Sequence, residues 1–406
     1  MPRVLFVCEA VTLAQVVRLA TLARALDARR YEVHFASAQF DELVFGGTSF
    51  VRHHIHSLPP RTIEARVAAG RRLYGRRTLS RYVAEERALI AAVSPALVVG
   101  DLRLSLSVSA PAERVPYAAL INAYWSPLTV RRGFPMPDHP IVRLLGVHRA
   151  QRSFPRALPL VFRHFARPVN ALRKRHGLSA LGSLPEILTH GDHTLFPDVP
   201  ALVPTRDLPA GQRYLGPVLW SPPVRLPAWW TALDPGRPTI YVTMGSSGRV
   251  QKLGMVVDVA ARLGLQVLVA TAGRAQLGGA LAPHVFVADY LPGHLAARRS
   301  FAVISNGGST TGYQALAEGK PVLGIASNMD QHLAMTAIED AGAGLLLRAG
   351  NVDEQGLAQA LGHLADDPSF TAAARGLADE FSRWDAAANF VNFVRDAVTG
   401  SGELPA

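Results

Sequence analysis

The chain is poor in cysteine, in acidic side chains and in long apolar runs. Its 406 residues include one cysteine, and 42 Lys and Arg outnumber 31 Asp and Glu, for a formal net charge of +11. A single cysteine excludes an internal disulfide and is typical of a reducing, cytoplasmic compartment. No segment has the roughly 18 uninterrupted apolar residues of a membrane span. Glu9 interrupts the apolar start, which we interpret as a buried strand rather than a signal peptide.

The first strand-helix-strand pattern lacks the glycine fingerprint of dinucleotide-binding folds. Apolar spacing predicts a strand at 3–8, a helix at 13–26 and a strand at 31–36. No GxGxxG connects them, which argues against a dinucleotide bound there. His53, His54 and His56 lie close together, but no cysteine or carboxylate accompanies them. We therefore expect a loop there and no metal site.

Alternating strands and helices recur on both sides of a proline-rich segment. This alternation predicts an α/β protein with two doubly wound parallel-sheet domains. The dense prolines, including Pro217, Pro222, Pro223 and Pro227, are typical of a linker. The predicted division is an N-terminal domain at 1–212, a linker at 213–238, a C-terminal domain at 239–383 and a last helix within 384–406.

Arginine is concentrated between Arg131 and Arg175. No nucleic-acid-binding motif accompanies this cluster, so we expect no nucleic acid partner. A solvated basic face, an anionic membrane surface and an acidic acceptor are the three explanations that the charge leaves open.

Two strand-to-helix turns follow each other within residues 301–334. The first is Asn306-Gly307-Gly308-Ser309-Thr310-Thr311 after an apolar strand, and the second contains Asp330-Gln331. Glycines allow close backbone approach, and the N–H groups of a helix start attract an anion. Neighbouring turns on one sheet edge share a crevice. A phosphate at one turn and a carboxylate with an amide at the other suit a sugar linked to a diphosphate.

These residues resemble the donor-binding signature of the inverting, nucleotide-sugar-dependent GT-B glycosyltransferases. The family pattern is HGG-x-GT, a G-x-P and an Asp/Glu-Gln pair, which match the turns above and Gly319-Lys320-Pro321. Asn306 replaces the usual His and Gln314 the usual Glu near the ribose. Both substitutes still form hydrogen bonds.

The resemblance implies a GT-B fold, in which two Rossmann-like domains face a cleft and the last helix crosses back to the first domain. It implies a UDP- or dTDP-sugar donor, a lipophilic small-molecule acceptor, inversion, no metal and no other cofactor. The implied pathway is natural product or glycolipid biosynthesis. The donor would contact Gly245, Ser246, Ser247, Tyr290, Leu291, Asn306, Gly307, Gly308, Ser309, Thr310, Thr311, Gln314, Asp330 and Gln331.

The catalytic base is where the chain departs most from this family. The usual base is a His at the start of the first helix, and that position holds Gln15, which cannot accept a proton. Asp101 matches the carboxylate that orients the base, and Glu9 is also close in the inferred topology. Three explanations compete: an inactivated variant, another base such as Asp101 or Glu9, or a protein that only binds.

The sequence therefore predicts a cytoplasmic or membrane-peripheral glycosyltransferase, either monomer or homodimer. Asn122, Tyr124 and Trp125 end a strand on the predicted cleft and are the candidate acceptor residues. Core packing is an equally good explanation of Trp125. Two other functions stay open, a non-catalytic nucleotide-sugar-binding partner and an enzyme like the UDP-sugar 2-epimerases. The latter need acid/base carboxylates near the donor, where Asp330 is the strong candidate.

Overall fold

The structure, a computed structural model, describes residues 1–131, 133–138, 142, 146–245, 250–278 and 280–400. Its contacts divide the chain into two compact units. Unit one contains Met1–Gly133, His148–Val218 and Trp384–Ala406, and unit two contains Phe134–Val147 and Leu219–Arg383. The segment 134–147, which comes from the N-terminal half of the sequence, is thus part of unit two.

Unit one is built on a seven-stranded parallel sheet in the order β3-β2-β1-β4-β5-β6-β7. The strands are β1 (Arg3–Cys8), β2 (Glu32–Ser37), β3 (Val51–His54), β4 (Leu97–Asp101), β5 (Tyr117–Leu120), β6 (His193–Phe196) and β7 (Gln212–Tyr214). Central strands β1 and β4 are nearly all apolar and buried, as parallel strands covered on both faces should be.

Helices flank this sheet. They are α1 (Leu13–Arg24), α2 (Glu42–Phe45), α3 (Pro60–Ala68), α4 (Arg76–Val93), α5 (Leu106–Ala112), α6 (Val147–Arg175) and α7 (Leu184–Leu188), with a short 3-10 helix at Ala123–Trp125. The long α6 contains Pro155, Pro159 and Pro168 and buries one apolar side.

Unit two has a six-stranded parallel sheet in the order β10-β9-β8-β11-β12-β13. The strands are β8 (Thr239–Thr243), β9 (Gln266–Ala270), β10 (Val285–Ala288), β11 (Ala302–Ser305), β12 (Val322–Ala326) and β13 (Gly344–Arg348). The helices are α8 (Leu253–Arg262), α9 (Gly293–Arg299), α10 (Ser309–Ala317), α11 (Met329–Asp340), α12 (Glu354–Asp366) and α13 (Pro368–Phe381), with 3-10 turns at Ala228–Ala232 and Val250–Lys252.

The last helix, α14 (Ala386–Gly400), belongs to unit one. Phe390 is fully buried, with its ring 5.9 Å from that of Phe6 in the first strand. Trp384 lies against Gly216, whose φ of +94° favours glycine and where an added Cβ would stand 2.6 Å from the Trp384 Cβ. This packing fixes the end of the chain on the unit that contains its start.

Two helix-covered parallel sheets confirm the predicted fold class. The loop predicted around His53 and His54 is wrong, because both residues lie in β3, which pairs with β2. The sequence did not predict β7, which extends the first sheet into the predicted linker. Residues 69–75 separate α3 from α4. None of the helices in the described residues combines the length and the hydropathy of a membrane span.

Candidate active site

The glycine turn of unit two lies between β11 and α10. Gly307 has φ +80°, and a Cβ added there would come 2.8 Å from Met335 Cγ, so only glycine fits without displacement. Its N–H donates to Ser305 Oγ at 3.0 Å, and Gly308 N donates to Asn306 Oδ1 at 3.2 Å. The turn thus leads directly into the first turn of α10, whose N–H groups have no intrahelical acceptor. Such an end is suited to an anion.

The end of β8 lies beside this turn. Strand pairing aligns Ser305 with Thr243, and Gly245 follows with φ +56°. A Cβ on Gly245 would be 3.7 Å from both polar atoms of the Asn306 side chain. The guanidinium of Arg274 reaches the Gly245 carbonyl at 3.5 Å. The Arg274 guanidinium, the end of β8 and the turn before α10 therefore lie close together. The predicted donor residues Ser246 and Ser247 lie outside the described residues.

Gln331 and Asp330 occupy the first turn of α11. Gln331 Oε1 accepts from Ser327 N at 2.9 Å and Ser327 Oγ at 3.0 Å, and Gln331 N donates to Asn328 Oδ1 at 3.0 Å. Gln331 is buried, and its Nε2 has no hydrogen-bond partner among the described residues. The amide oxygen of Gln331 therefore stabilises the start of α11, and its Nε2 group can donate a hydrogen bond to a ligand. Asp330 is half-buried in the same turn.

Gln314 is positioned by residues that the sequence interpretation missed. Its Nε2 donates to Trp220 O at 2.8 Å and to Ser221 Oγ at 2.7 Å. His294 shares the same hydroxyl, with Nδ1 2.8 Å from Ser221 Oγ. An added Cβ on Gly293 would be 2.0 Å from Gln314 Oε1, so a side chain at residue 293 would displace the Gln314 amide. These contacts orient the amide of Gln314 with its oxygen over Gly293.

Two further predicted donor residues precede α9. Leu291 is buried, and the hydroxyl of half-buried Tyr290 is 3.5 Å from Ala272 O. Ala272 has φ +55°. The segment thus forms a packed, irregular connection at the same edge of the sheet as Gln314.

Asp138 was also missed, because it is almost 190 residues from the turn it contacts. Its N–H donates to Ser327 O at 3.2 Å, and its Oδ2 accepts from Gly350 N at 2.7 Å. Arg348 and His332 lie 3.4 and 3.9 Å from Oδ1. Burial alone would raise the pKa of Asp138, but these partners together lower it. The carboxylate therefore supports the turn that contains Asp330 and Gln331.

In unit one, the predicted carboxylate Asp101 is fully buried and paired. Arg18 Nε and Nη2 each lie 2.8 Å from one of its oxygens, a bidentate geometry. Arg18 Nη1 also donates to Asn122 Oδ1 at 2.6 Å, and Asn122 Nδ2 donates to Asp198 at 2.8 Å. Both carboxylate oxygens of Asp101 therefore accept hydrogen bonds from Arg18, whereas a general base needs one of them to accept a proton.

Gln15 is part of the helix start. Its Oε1 accepts the Thr12 N–H at 3.2 Å, the reciprocal half of a capping box. Gln15 is half-buried. The side chain at the usual base position therefore stabilises α1.

Glu9 belongs to a second buried network. Arg103 Nη1 lies 3.2 Å from Glu9, and its Nε lies 2.7 Å from Glu86. The guanidinium carbon is 3.7 Å from the centre of the Tyr82 ring, whose hydroxyl is 3.2 Å from Glu9. Burial raises the pKa of Glu9, although Arg103 and hydrogen bonds from Ser57, Tyr82 and Tyr74 oppose the rise. Glu9 is therefore more basic than a solvated glutamate, and like Asp101 it is buried.

The predicted acceptor residues are buried in unit one. Asn122 belongs to the Arg18 network, and Tyr124 and Trp125 lie in the short 3-10 helix, exposed by 2% and 8%. These values agree with core packing, and a role in acceptor binding stays a prediction. No group of three or more His, Cys, Asp or Glu in the described part of the chain could hold a metal ion.

Residues 254–391 match a family model described as the C-terminal domain of erythromycin biosynthesis protein CIII-like proteins. The chain is 51% identical over 381 residues to a Mycobacterium tuberculosis PGL/p-HBAD biosynthesis glycosyltransferase, covering 93% of this chain and 88% of the relative. It is 48% identical over 382 residues to a Mycobacterium bovis PGL/p-HBAD biosynthesis rhamnosyltransferase, covering 94% and 84%. An inactive PGL/p-HBAD biosynthesis glycosyltransferase of Mycobacterium bovis is 50% identical over 262 residues, 64% of this chain and 71% of that protein.

Solved structures share the fold at lower identity. Spinosyn forosaminyltransferase SpnP superposes with a TM-score of 0.71 at 20% identity, covering 98% of this chain and 99% of SpnP. Spinosyn rhamnosyltransferase SpnG complexed with thymidine diphosphate gives a TM-score of 0.68 at 21% identity, covering 97% and 100%. At such identity the likeness concerns the fold.

Proposed function

The chain belongs to the GT-B glycosyltransferase family, and we propose that it binds a nucleotide sugar and transfers the sugar, with inversion, to a hydroxyl of a lipophilic glycolipid precursor. The observation that carries the proposal is the pair of turns in unit two. The turn at Gly307 leads into the start of α10, whose N–H groups would bind a diphosphate, and Asp330 with Gln331 on the next turn would bind sugar hydroxyls.

The donor we propose is a dTDP-linked or UDP-linked sugar, and dTDP-rhamnose is the first to test. One relative is a rhamnosyltransferase, and the structurally similar SpnG was solved with thymidine diphosphate. We propose a glycolipid precursor as the acceptor because the relatives are named for PGL/p-HBAD biosynthesis.

The leaving diphosphate needs its growing charge stabilised. The N–H groups at the start of α10, the hydroxyls of Ser309 and Thr310 and the guanidinium of Arg274 are the proposed donors, acting without a metal ion or other cofactor. Asn306 is the residue that connects them, because its side chain both accepts from Gly308 N and lies against Gly245.

Removal of the proton from the acceptor hydroxyl is the step that we expect to be slow in this protein. Gln15 cannot act as a base, Asp101 is held by Arg18, and Glu9 is held by Arg103. We therefore propose full donor binding with slow transfer. The same observations favour a second candidate, a nucleotide-sugar-binding protein without transfer, and the inactive relative is a precedent.

Calorimetry tests donor binding. It is done with thymidine diphosphate and with UDP on the unmodified chain, on Asn306→Ala and on the control Asn351→Ala, whose residue is exposed. We expect binding by the chain and the control and at least about tenfold weaker binding by Asn306→Ala, since one charge-assisted hydrogen bond contributes about 1.5–3 kcal/mol. Absence of nucleotide binding by the unmodified chain would refute both candidate functions. Product formation from dTDP-rhamnose with a panel of lipophilic acceptors that carry a hydroxyl then separates the enzyme from the binding protein.

A further inference from the structure

The exposed side of α6 presents a single line of arginines. Arg149, Arg152, Arg156, Arg163 and Arg167 are spaced by three, four, seven and four residues and are all exposed. Residues three, four or seven apart lie on the same side of a helix. This line, which we call the arginine stripe, extends about 27 Å at 1.5 Å per residue.

The opposite side of α6 is packed into unit one. Its buried residues are Ala150, Phe154, Leu158, Phe162, Ala166, Val169 and Leu172. Because these side chains fix the rotation of the helix, the arginine stripe is held outward by the fold rather than by chance orientation.

The positive charge of the stripe is not compensated locally. The sequence has no Asp or Glu between Asp138 and Glu186. In the described part of the chain, no ion pair joins any stripe arginine to a carboxylate. His164 has a lowered pKa because of desolvation and the nearby charges of Arg72 and Arg167. Arg72 Nε lies 2.9 Å from His164 Nε2, so the positive surface continues onto the segment before α4.

A large apolar side chain stands on the same side. Leu160, four residues after Arg156 and three before Arg163, is 68% exposed. Within the helix it lies close to the line of arginines, so the face combines positive charge with an exposed leucine. Phosphate groups of a nucleic acid would bind the arginines and leave the leucine in water, whereas a lipid surface accommodates both.

We propose that the arginine stripe and Leu160 form the docking surface of this protein for an anionic lipid bilayer, with α6 lying parallel to the membrane plane. The charge of the stripe is complementary to anionic headgroups, and Leu160 enters the headgroup–acyl boundary. The arginine stripe belongs to unit one, whereas the proposed nucleotide-sugar site lies in unit two. Docking of the stripe on a bilayer depends on its charge and exposure and not on the identity of the acceptor. A lipophilic acceptor dissolved in the same bilayer would gain access by this docking.

Co-sedimentation with vesicles tests the surface. The vesicles are phosphatidylcholine alone or with about one third phosphatidylglycerol. We expect binding to the anionic vesicles only, and its loss when salt rises from about 0.1 M to about 1 M, which shortens the Debye length from about 10 to about 3 Å. Arg152→Glu/Arg156→Glu/Arg163→Glu should weaken binding by more than about 100-fold, since each basic residue contributes a factor of about five.

The matched control reverses three exposed arginines of unit two, Arg225→Glu/Arg237→Glu/Arg299→Glu, and should retain most of the binding. Leu160→Ser should weaken binding to anionic vesicles several-fold without changing its salt dependence. Circular dichroism and thermal unfolding monitor folding of each variant, and Arg152→Gln/Arg156→Gln/Arg163→Gln replaces the reversal if that variant is unstable. Equal loss in both triple variants, equal binding to neutral vesicles, or tighter binding to duplex DNA than to anionic vesicles at the same salt would overturn the proposal.

Discussion

Arg18 binds Asp101 through two hydrogen bonds of 2.8 Å, Nε to Oδ2 and Nη2 to Oδ1, with both side chains buried. The pair connects α1, whose first turn contains Gln15, to the end of β4. Asp101 is therefore paired with a permanent cation and poorly placed to accept a proton.

Removing one member of this pair should strongly destabilise unit one. Asp101→Asn leaves the Arg18 guanidinium buried without its counter-charge, and we expect a loss of about 3–5 kcal/mol in the free energy of unfolding. Glu354→Gln is the matched control, because its pair with Arg262 is exposed and should contribute about 0–1 kcal/mol. Urea unfolding measures both. A stable Asp101→Asn protein that has lost turnover would instead support Asp101 as the base.

Placing a base at residue 15 should increase turnover. Gln15→His puts an imidazole at the start of α1, and general base catalysis contributes about 10²–10⁴-fold. The new activity should fall as pH drops through about 6.5, where imidazole becomes protonated. Gln15→Asn keeps an amide without adding a base and serves as the control. If Gln15→His and the unmodified chain show the same kcat, the proposed cause of slow transfer is wrong.

The glycine turn should tolerate no side chain at residue 307. In Gly307→Ala the new Cβ would lie 2.8 Å from Met335 Cγ at a φ of +80°. We expect a destabilisation of about 1–3 kcal/mol and weaker thymidine diphosphate binding, because the turn precedes the N–H groups of α10. Gly254→Ala is the control. It lies in α8 with nothing within 4 Å of the added Cβ and should be neutral or stabilising by up to about 1 kcal/mol. Calorimetry and thermal unfolding compare them, and unchanged affinity in Gly307→Ala would argue against a phosphate at this turn.

Sequence patterns predicted the elements that depend on local order. The run from Phe301 to Ile325 showed two buried strands and a glycine turn, and the structure has them at those places. The supports of the site depend on distant contacts and were missed. Asp138 reaches Ser327 from the other half of the sequence, and Arg18 reaches Asp101 across 83 residues. Pairs of this kind leave no periodicity in one sequence, although charged residues inside apolar segments, such as Arg18 and Glu9, could have indicated buried partners.

Gln314 should not accept replacement by glutamate, the residue usual in this family. A carboxylate has no hydrogen to donate, and it would face the Trp220 carbonyl oxygen at the 2.8 Å now spanned by Nε2. Gln314→Glu should therefore cost about 1–3 kcal/mol of stability and weaken nucleotide binding. Gln355→Glu, exposed in the first turn of α12, is the control and should be neutral or slightly stabilising. Equal stability of the two variants would show that the amide orientation is not required.

Stability should fall as the pH is lowered below neutral, and His332 should contribute to the fall. His332 is fully buried, and desolvation, with the charge of Arg348, lowers its pKa despite Asp138. The unfolded chain, with an ordinary histidine pKa of about 6.5, then binds more protons than the folded chain. Because stability rises with pH wherever the unfolded state binds more protons, His332 reduces stability from about pH 6.5 downward, by at most about 1.4 kcal/mol per pH unit.

His332→Met should reduce this slope, because the replacement side chain does not titrate. Thermal unfolding between about pH 5 and 8 measures the slope. His363→Met, at an exposed position on α12, is the control and should leave it nearly unchanged. Asp138 acts at lower pH. Because the pKa of Asp138 is lowered in the folded state, its contribution to stability is present above about pH 3.9 and is lost as the carboxyl is protonated. The effects of His332 and Asp138 on stability therefore fall in different pH ranges. If His332→Met and His363→Met keep the same acid slope as the unmodified chain, protonation of His332 is not what limits stability between pH 5 and 6.5.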